Sequence, residues 1–162
     1  MTSAATRDSR FAAIFLALIL AVVGCASAPR RERVKVKPVP GAALVRMART
    51  QIGKPYVTGG RSSGTGFDCS GLVWWAYRQF NSEMPRRCVD QFREGVAVSR
   101  WDLKPGDLLF FDTGERTRPG HVGIYVGDGR FIHAPTMGQA VREDELQNNY
   151  WRHAFMGARR IE

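Results

Sequence analysis

Apolar and polar positions fall into three regimes along the chain. From Phe11 to Val23 every residue is apolar, with Arg7 and Arg10 ahead of the run and Gly24-Cys25-Ala26 behind it. Such a run is shorter than the roughly 18 residues that a spanning helix needs, and it has no polar face of the kind a surface helix shows. It predicts the hydrophobic stretch of a secretory signal. Residues 26 to 40, ASAPRRERVKVKPVP, are small, basic and proline-bearing. With almost nothing to bury, they predict a flexible tether.

From Gly41 the apolar residues acquire a period. Leu44, Val45, Met47, Ala48 and Ile52 suit one face of a helix that stops at Gly53, just before Lys54-Pro55. Residues 56 to 66, YVTGGRSSGTG, read as a glycine- and serine-rich loop, without the Lys-Ser/Thr ending of a phosphate cradle. A second helix is predicted from Cys69, capped by Asp68, with Leu72, Val73, Ala76 and Phe80 inward. A short helix should cover residues 88 to 95. Strands follow at Asp107–Phe111, His121–Val126, Arg130–His133, Ala140–Arg142 and Phe155–Ile161, with Gly127-Asp128-Gly129 as a tight turn. Helices first and a meander of strands afterwards predict an α+β domain built on an antiparallel sheet. The expected boundaries are a signal over 1–24, a tether over 25–40 and one domain over 41–162.

Composition agrees with one globular domain: 162 residues, 44% apolar and 24% charged. The net charge of +9 favours an anionic partner, whether nucleic acid, phospholipid or an acidic polymer. A secretory signal and the lack of a nucleic-acid recognition motif exclude the first. Among the three cysteines, Cys25 sits at the end of the signal, leaving Cys69 and Cys88, and two cysteines alone are a poor disulfide framework. No closely spaced pair such as HExxH or CxxC is present, so neither metal nor cofactor is expected.

The candidate chemistry centres on Cys69. At a helix start, free backbone N–H groups and the positive end of the helix dipole favour a thiolate. The glycine-rich loop before it predicts an accessible side chain. The same N–H groups could serve as part of an oxyanion hole. A lone cysteine in such a place can equally be a small core residue. Trp74 and Trp75 read as packing, His153 as a surface or core histidine, and Cys88 as a helix-start residue.

Gly66-Phe67-Asp68-Cys69-Ser70-Gly71-Leu72-Val73 resembles the nucleophile motif of the NlpC-type, papain-like cell-wall endopeptidases. Residues 103–111, LKPGDLLFF, are similar to that family's first core strand, and Gly120-His121-Val122-Gly123-Ile124-Tyr125-Val126-Gly127 to its histidine strand. Phe131-Ile132-His133-Ala134 matches its third polar position, and Pro55-Tyr56 with Gly59-Gly60 its upstream loop. The likeness runs from about Leu44 to Ile161. Separately, Val22-Val23-Gly24-Cys25 resembles the bacterial lipoprotein box.

The first resemblance implies a papain-like fold, with helices packed on one antiparallel sheet. It implies Cys69 as nucleophile, His121 as general base and then acid, and His133 as the group that orients His121. Tyr56 would help to bind the substrate carbonyl or oxyanion, and Asp68 and Ser70 would contact amine or peptide groups, although Asp68 as a helix cap is an equal reading. The expected substrate is a peptidoglycan stem peptide, cut at the D,D cross-link or at the γ-D-glutamyl–diaminopimelate bond. Rival readings are an inert peptidoglycan-binding scaffold, which intact Cys69, His121 and His133 oppose, and an acyltransferase or amidase on the same fold. The second resemblance implies acylation of Cys25, a membrane anchor, and a periplasm-facing outer-membrane location. The domain is expected to act as a monomer, losing activity at low pH.

Overall fold

The structure, a computed structural model, describes residues 36–162. The apolar run, Cys25 and the tether up to residue 35 lie outside the described residues.

Helix α1, Gly41–Arg49, buries Leu44, Val45 and Ala48. It ends a turn before the glycine that the pattern suggested, and Ile52, expected on the apolar face, is exposed on the turn beyond it. Two-residue strands β1 (Arg61–Ser62) and β2 (Gly66–Phe67) pair within the glycine-rich loop. They lead into helix α2, Cys69–Arg78, and then into a short helix α3, Cys88–Gln91. Helix α2 starts at Cys69 because the carboxylate of Asp68 accepts the N–H of Gly71 at 2.6 Å, satisfying one of the free donors of the first turn.

The remaining elements make the sheet: β3 (Val96–Val98), β4 (Leu108–Phe111), β5 (His121–Gly127), β6 (Arg130–His133), β7 (Arg142–Glu145) and β8 (Phe155–Arg160). Helix α4, Asn149–Ala154, joins β7 to β8. The strand order is β3-β8-β4-β5-β6-β7, antiparallel throughout. The α+β prediction holds, helices on an antiparallel sheet included.

Strand β4 is buried at all four positions, which is why Leu-Leu-Phe-Phe carries no alternation. Leu108 and Phe110 face the core shared with α1 and α2, whereas Leu109 and Phe111 join Phe131, Trp151 and Ala158 on the opposite face. Two sheet-region elements escaped the sequence reading, and a third is displaced from it. β3 is a three-residue edge strand with two exposed positions, and α4 is too short to display a period. The expected strand over Ala140–Arg142 is displaced: Ala140 makes only an isolated bridge to Pro55, and the paired strand is Arg142–Glu145.

Packing of the domain begins before Gly41. Val36 and Val39 are buried in the helix-side core, and the carbonyl of Lys37 accepts a hydrogen bond from the Ser82 hydroxyl at 2.7 Å. Val36 and Val39 of the basic stretch thus find a surface that composition alone does not reveal.

Candidate active site

Helix α2 delivers Cys69 and strand β5 delivers His121 to one cleft of about 490 Å3. Tyr56, Asp68, Ser70, Arg86, Cys88 and Glu115 also line it. The Cys69 Sγ lies 4.0 Å from the carbonyl oxygen of Gly120, the residue before His121. The first turn of α2 seats closely on the loop, and a Cβ on Gly71 would fall 1.9 Å from the Gly60 carbonyl oxygen. A glycine is therefore required two residues after Cys69.

Strands β5 and β6 pair through Ile124↔Ile132 and Tyr125↔Phe131. That register puts His121 and His133 on the same sheet face, diagonal to one another. Their rings meet edge to face, with His121 Nε2 2.8 Å from His133 Nδ1. His133 is wholly buried and His121 nearly so. With Nε2 occupied, Nδ1 is the nitrogen of His121 left for proton transfer.

The electrostatics differ from the sequence expectation. Cys69 is half-buried and lines the cleft, and its thiol is pushed up to about 11, chiefly by burial, with Asp68 and Glu115 adding to the rise. N–H groups of Val122 and Ser70 oppose this without overcoming it. His121 is pushed down to about 3, first by burial and then by His133. Desolvation penalises both charged forms, so the resting pair is a neutral thiol beside a neutral imidazole. Helix-start donors remain, but a thiolate does not follow from them here.

Tyr56 lines the cleft, its hydroxyl pKa raised mainly by burial. Asp68 has a structural task. Beyond Gly71, its two oxygens accept from Arg86 Nη1 at 2.9 Å and Nη2 at 2.6 Å, from the Ser70 hydroxyl at 3.2 Å and from the Gly59 N–H at 3.0 Å. Arg86 also donates to the Ser70 hydroxyl and the Gly60 carbonyl. Sequence reading missed Arg86, which looked like one more surface cation. It missed Asp144 and Trp151 as well. His133 Nε2 lies 3.1 Å from Asp144 Oδ2, which the Trp151 Nε1–H reaches at 3.0 Å.

Cys88 begins α3, as expected, and is a free thiol at the edge of the same cleft. His153 is exposed, bonding the Asn149 carbonyl within α4. Trp75 packs on Phe67, and Trp74 lies beneath the guanidinium groups of Arg61 and Arg78.

The sequence model of the NlpC/P60 family matches residues 53–160, from the turn after α1 to the end of β8. The chain belongs to the NlpC/P60 family. It is 42% identical over 133 residues to the murein DD-endopeptidase MepH of Escherichia coli, covering 80% of this chain and 49% of that one. Identity to the gamma-DL-glutamyl hydrolase of Bacillus subtilis is 32% over 148 residues, covering 89% of this chain and 36% of the relative. The chain thus spans half or less of the length of either. Among solved structures, an NlpC/P60 family protein from Bacillus cereus aligns with a TM-score of 0.71 at 33% identity, covering 78% of this chain and 41% of that one. This likeness establishes the papain-like fold.

Proposed function

We propose that this NlpC/P60 domain is a cysteine endopeptidase of peptidoglycan stem peptides, with Cys69 as nucleophile and His121 as base. The observation that carries it is the pair Cys69 and His121 on one cleft, with Nε2 of His121 tied to His133 at 2.8 Å. In the first step Sγ bonds the amide carbon while its proton passes to His121 Nδ1. The developing oxyanion is met by the free N–H at the start of α2 and by the Tyr56 hydroxyl. Collapse breaks the C–N bond, and the imidazolium gives its proton to the leaving amine. Water then attacks the thioester with His121 again as base, releasing a carboxylic acid and the thiol. Because the resting pair is neutral, charge separates only as Sγ attacks, which is where preorganised donors help most.

Two findings support the D,D cross-link as the bond. One is the identity with MepH. The other is that both oxygens of Asp68 are taken up by Arg86 and backbone N–H groups, so Asp68 itself is not free for a stem's terminal amine. A second reading, the γ-D-glutamyl–diaminopimelate bond, is favoured by Glu115, which lines the cleft and makes no salt bridge among the described residues. Digestion of purified muropeptides with mass spectrometry separates them: dimers become monomers in the first case, and monomer stems are cut internally in the second. If neither substrate changes with a folded protein, the scaffold reading replaces both.

The lipoprotein-like box supports acylation at Cys25, with the outer membrane facing the periplasm as the site of action. Each buried methylene is worth about 0.8 kcal/mol, so two or three acyl chains would hold the protein durably. Labelled palmitate should enter the wild type and not Cys25→Ser; equal labelling would contradict the anchor.

A further inference from the structure

Beyond the two histidines, the sheet carries the line of contacts one strand further. His121 is on β5, His133 on β6 and Asp144 on β7, and the registered pairs Phe131↔Asp144 and His133↔Arg142 set Asp144 diagonally beside His133. His121 Nε2 and His133 Nδ1 are 2.8 Å apart, and His133 Nε2 and Asp144 Oδ2 are 3.1 Å apart. Asp144 Oδ2 also accepts the indole N–H of Trp151 at 3.0 Å. The Trp151 ring is stacked on His121, with centroids 5.2 Å apart and planes at 29°. One carboxylate therefore touches both things that hold the base: its hydrogen-bond partner and its stacking partner.

We infer that Asp144 is a positioning residue for catalysis, fixing through His133 which nitrogen of His121 carries the proton. The inference rests on the reading of Cys69 and His121 given above and adds a fourth member to it. A carboxylate can only accept. Asp144 stays ionised, its pKa held far below the usual carboxylate range first by the contact with His133, with Arg142 and Trp151 assisting against burial. His133 Nε2 must then be the donor, and neutral His133 keeps a lone pair on Nδ1. The His121 Nε2–H donates to that lone pair, so Nδ1 of His121 is left bare. Only this tautomer can take a proton from Cys69, and the wrong one disables a base even where geometry is intact.

Other groups near the carboxylate fit the assignment. Arg142 donates from Nε to Oδ1 at 2.8 Å and from Nη2 to Oδ2 at 3.1 Å. Its neighbour on β7, Glu143, is drawn away by Arg49 and Arg130. Among the described residues, Asp144 thus meets four fixed N–H donors from three side chains and no competing carboxylate. An amide in its place cannot satisfy them all. With its oxygen toward His133 and Trp151, its NH2 meets Arg142. Turned the other way, its NH2 meets the indole N–H and offers His133 a donor, which reverses the chain of tautomers.

The test uses the full chain labelled with 15N-histidine, in which only three imidazoles give signals. In the wild type at neutral pH, His121 and His133 should both be protonated on Nε2. Asp144→Asn should shift this population toward Nδ1–H. It should also lower kcat roughly tenfold to a hundredfold, the usual range for an outer partner of a functional histidine, with KM changed less than twofold. The alkylation rate of Cys69 by iodoacetamide, mapped by mass spectrometry, should fall in parallel, and this readout needs no peptide substrate. Asp144→Glu, which keeps the acceptor, should recover part of both rates. A wild-type His121 protonated on Nδ1, or an Asp144→Asn protein with unchanged tautomers and alkylation, overturns the inference. Failure to cleave any stem peptide with the tautomers as described would instead count against the proposed substrate.

Discussion

The imidazole of His121 and the indole of Trp151 lie stacked, 5.2 Å between centroids at 29°. With Phe111 and Phe131 also on Trp151, aromatic packing keeps most of the His121 imidazole out of water. This dryness pushes the His121 pKa down to about 3. A base must be neutral to act, and a lower pKa keeps it neutral to lower pH. The acid limb of kcat/KM should therefore lie well below the ordinary imidazole value of 6.5. Trp151→Ala should admit water and move the limb upward. A wild-type limb at pH 6 to 7, unmoved by the substitution, would contradict the role of the stack.

The same burial makes stability depend on pH. Above 6.5 His121 is neutral folded or unfolded and contributes no pH dependence. As pH falls below that, the unfolded chain takes up a proton that the folded chain refuses until about 3. Stability is thus lost on acidification, by up to about 1.4 kcal/mol per pH unit from this one group. Buried His133, also lowered by desolvation, acts in the same direction. Melting temperatures measured from pH 7 to 4 should fall steadily, and His121→Gln should flatten the slope.

Asp68 and Arg86 hold the front of the cleft together, and their loss should be felt in stability. Asp68→Ala removes a helix cap worth about 1 kcal/mol and strands a half-buried guanidinium, adding roughly 1–3 kcal/mol. Thermal unfolding should report both. If Asp68 instead bound a substrate amine, Asp68→Asn would raise KM while leaving the melting temperature alone.

Gly71→Ala inverts a usual rule. In an open helix alanine is better than glycine by about 1 kcal/mol. Here the new Cβ would sit 1.9 Å from the Gly60 carbonyl oxygen, and backbone cannot give way as a side chain can. The expected outcome is a lower melting temperature together with lost activity, because the clash displaces the turn carrying Cys69. A variant at least as stable as wild type, with full activity, would show that α2 does not seat on the loop this closely.

The sequence made the nucleophile end of the site legible because it is local. Asp68 before Cys69, glycine two residues on, and an apolar period at Leu72, Val73 and Ala76 all lie within one helix start. The two histidines were placed by the resemblance of their strands to the family's motifs, and the tight turn between those strands agrees with it. What stayed hidden depends on pairing between distant segments. Asp144 sits in Arg-Glu-Asp-Glu, an edge strand whose charges look like solvated surface until β6 lies beside them. Trp151 belongs to a six-residue helix with no readable face. Arg86 gains its meaning only when α2 and the segment before α3 meet. Burial of Cys69, and with it the neutral resting pair, is likewise a property of the assembled cleft.

The most direct test of the central claim is covalent. The chain is mixed with a cross-linked muropeptide, quenched in acid within the first turnover, and digested for mass spectrometry. The account predicts an acyl adduct on Cys69, formed slowly or not at all in His121→Ala and absent in Cys69→Ala, with turnover in both variants down by at least about 10³-fold. Cleavage that continues at the wild-type rate in Cys69→Ala, with no adduct in the wild type, would contradict it.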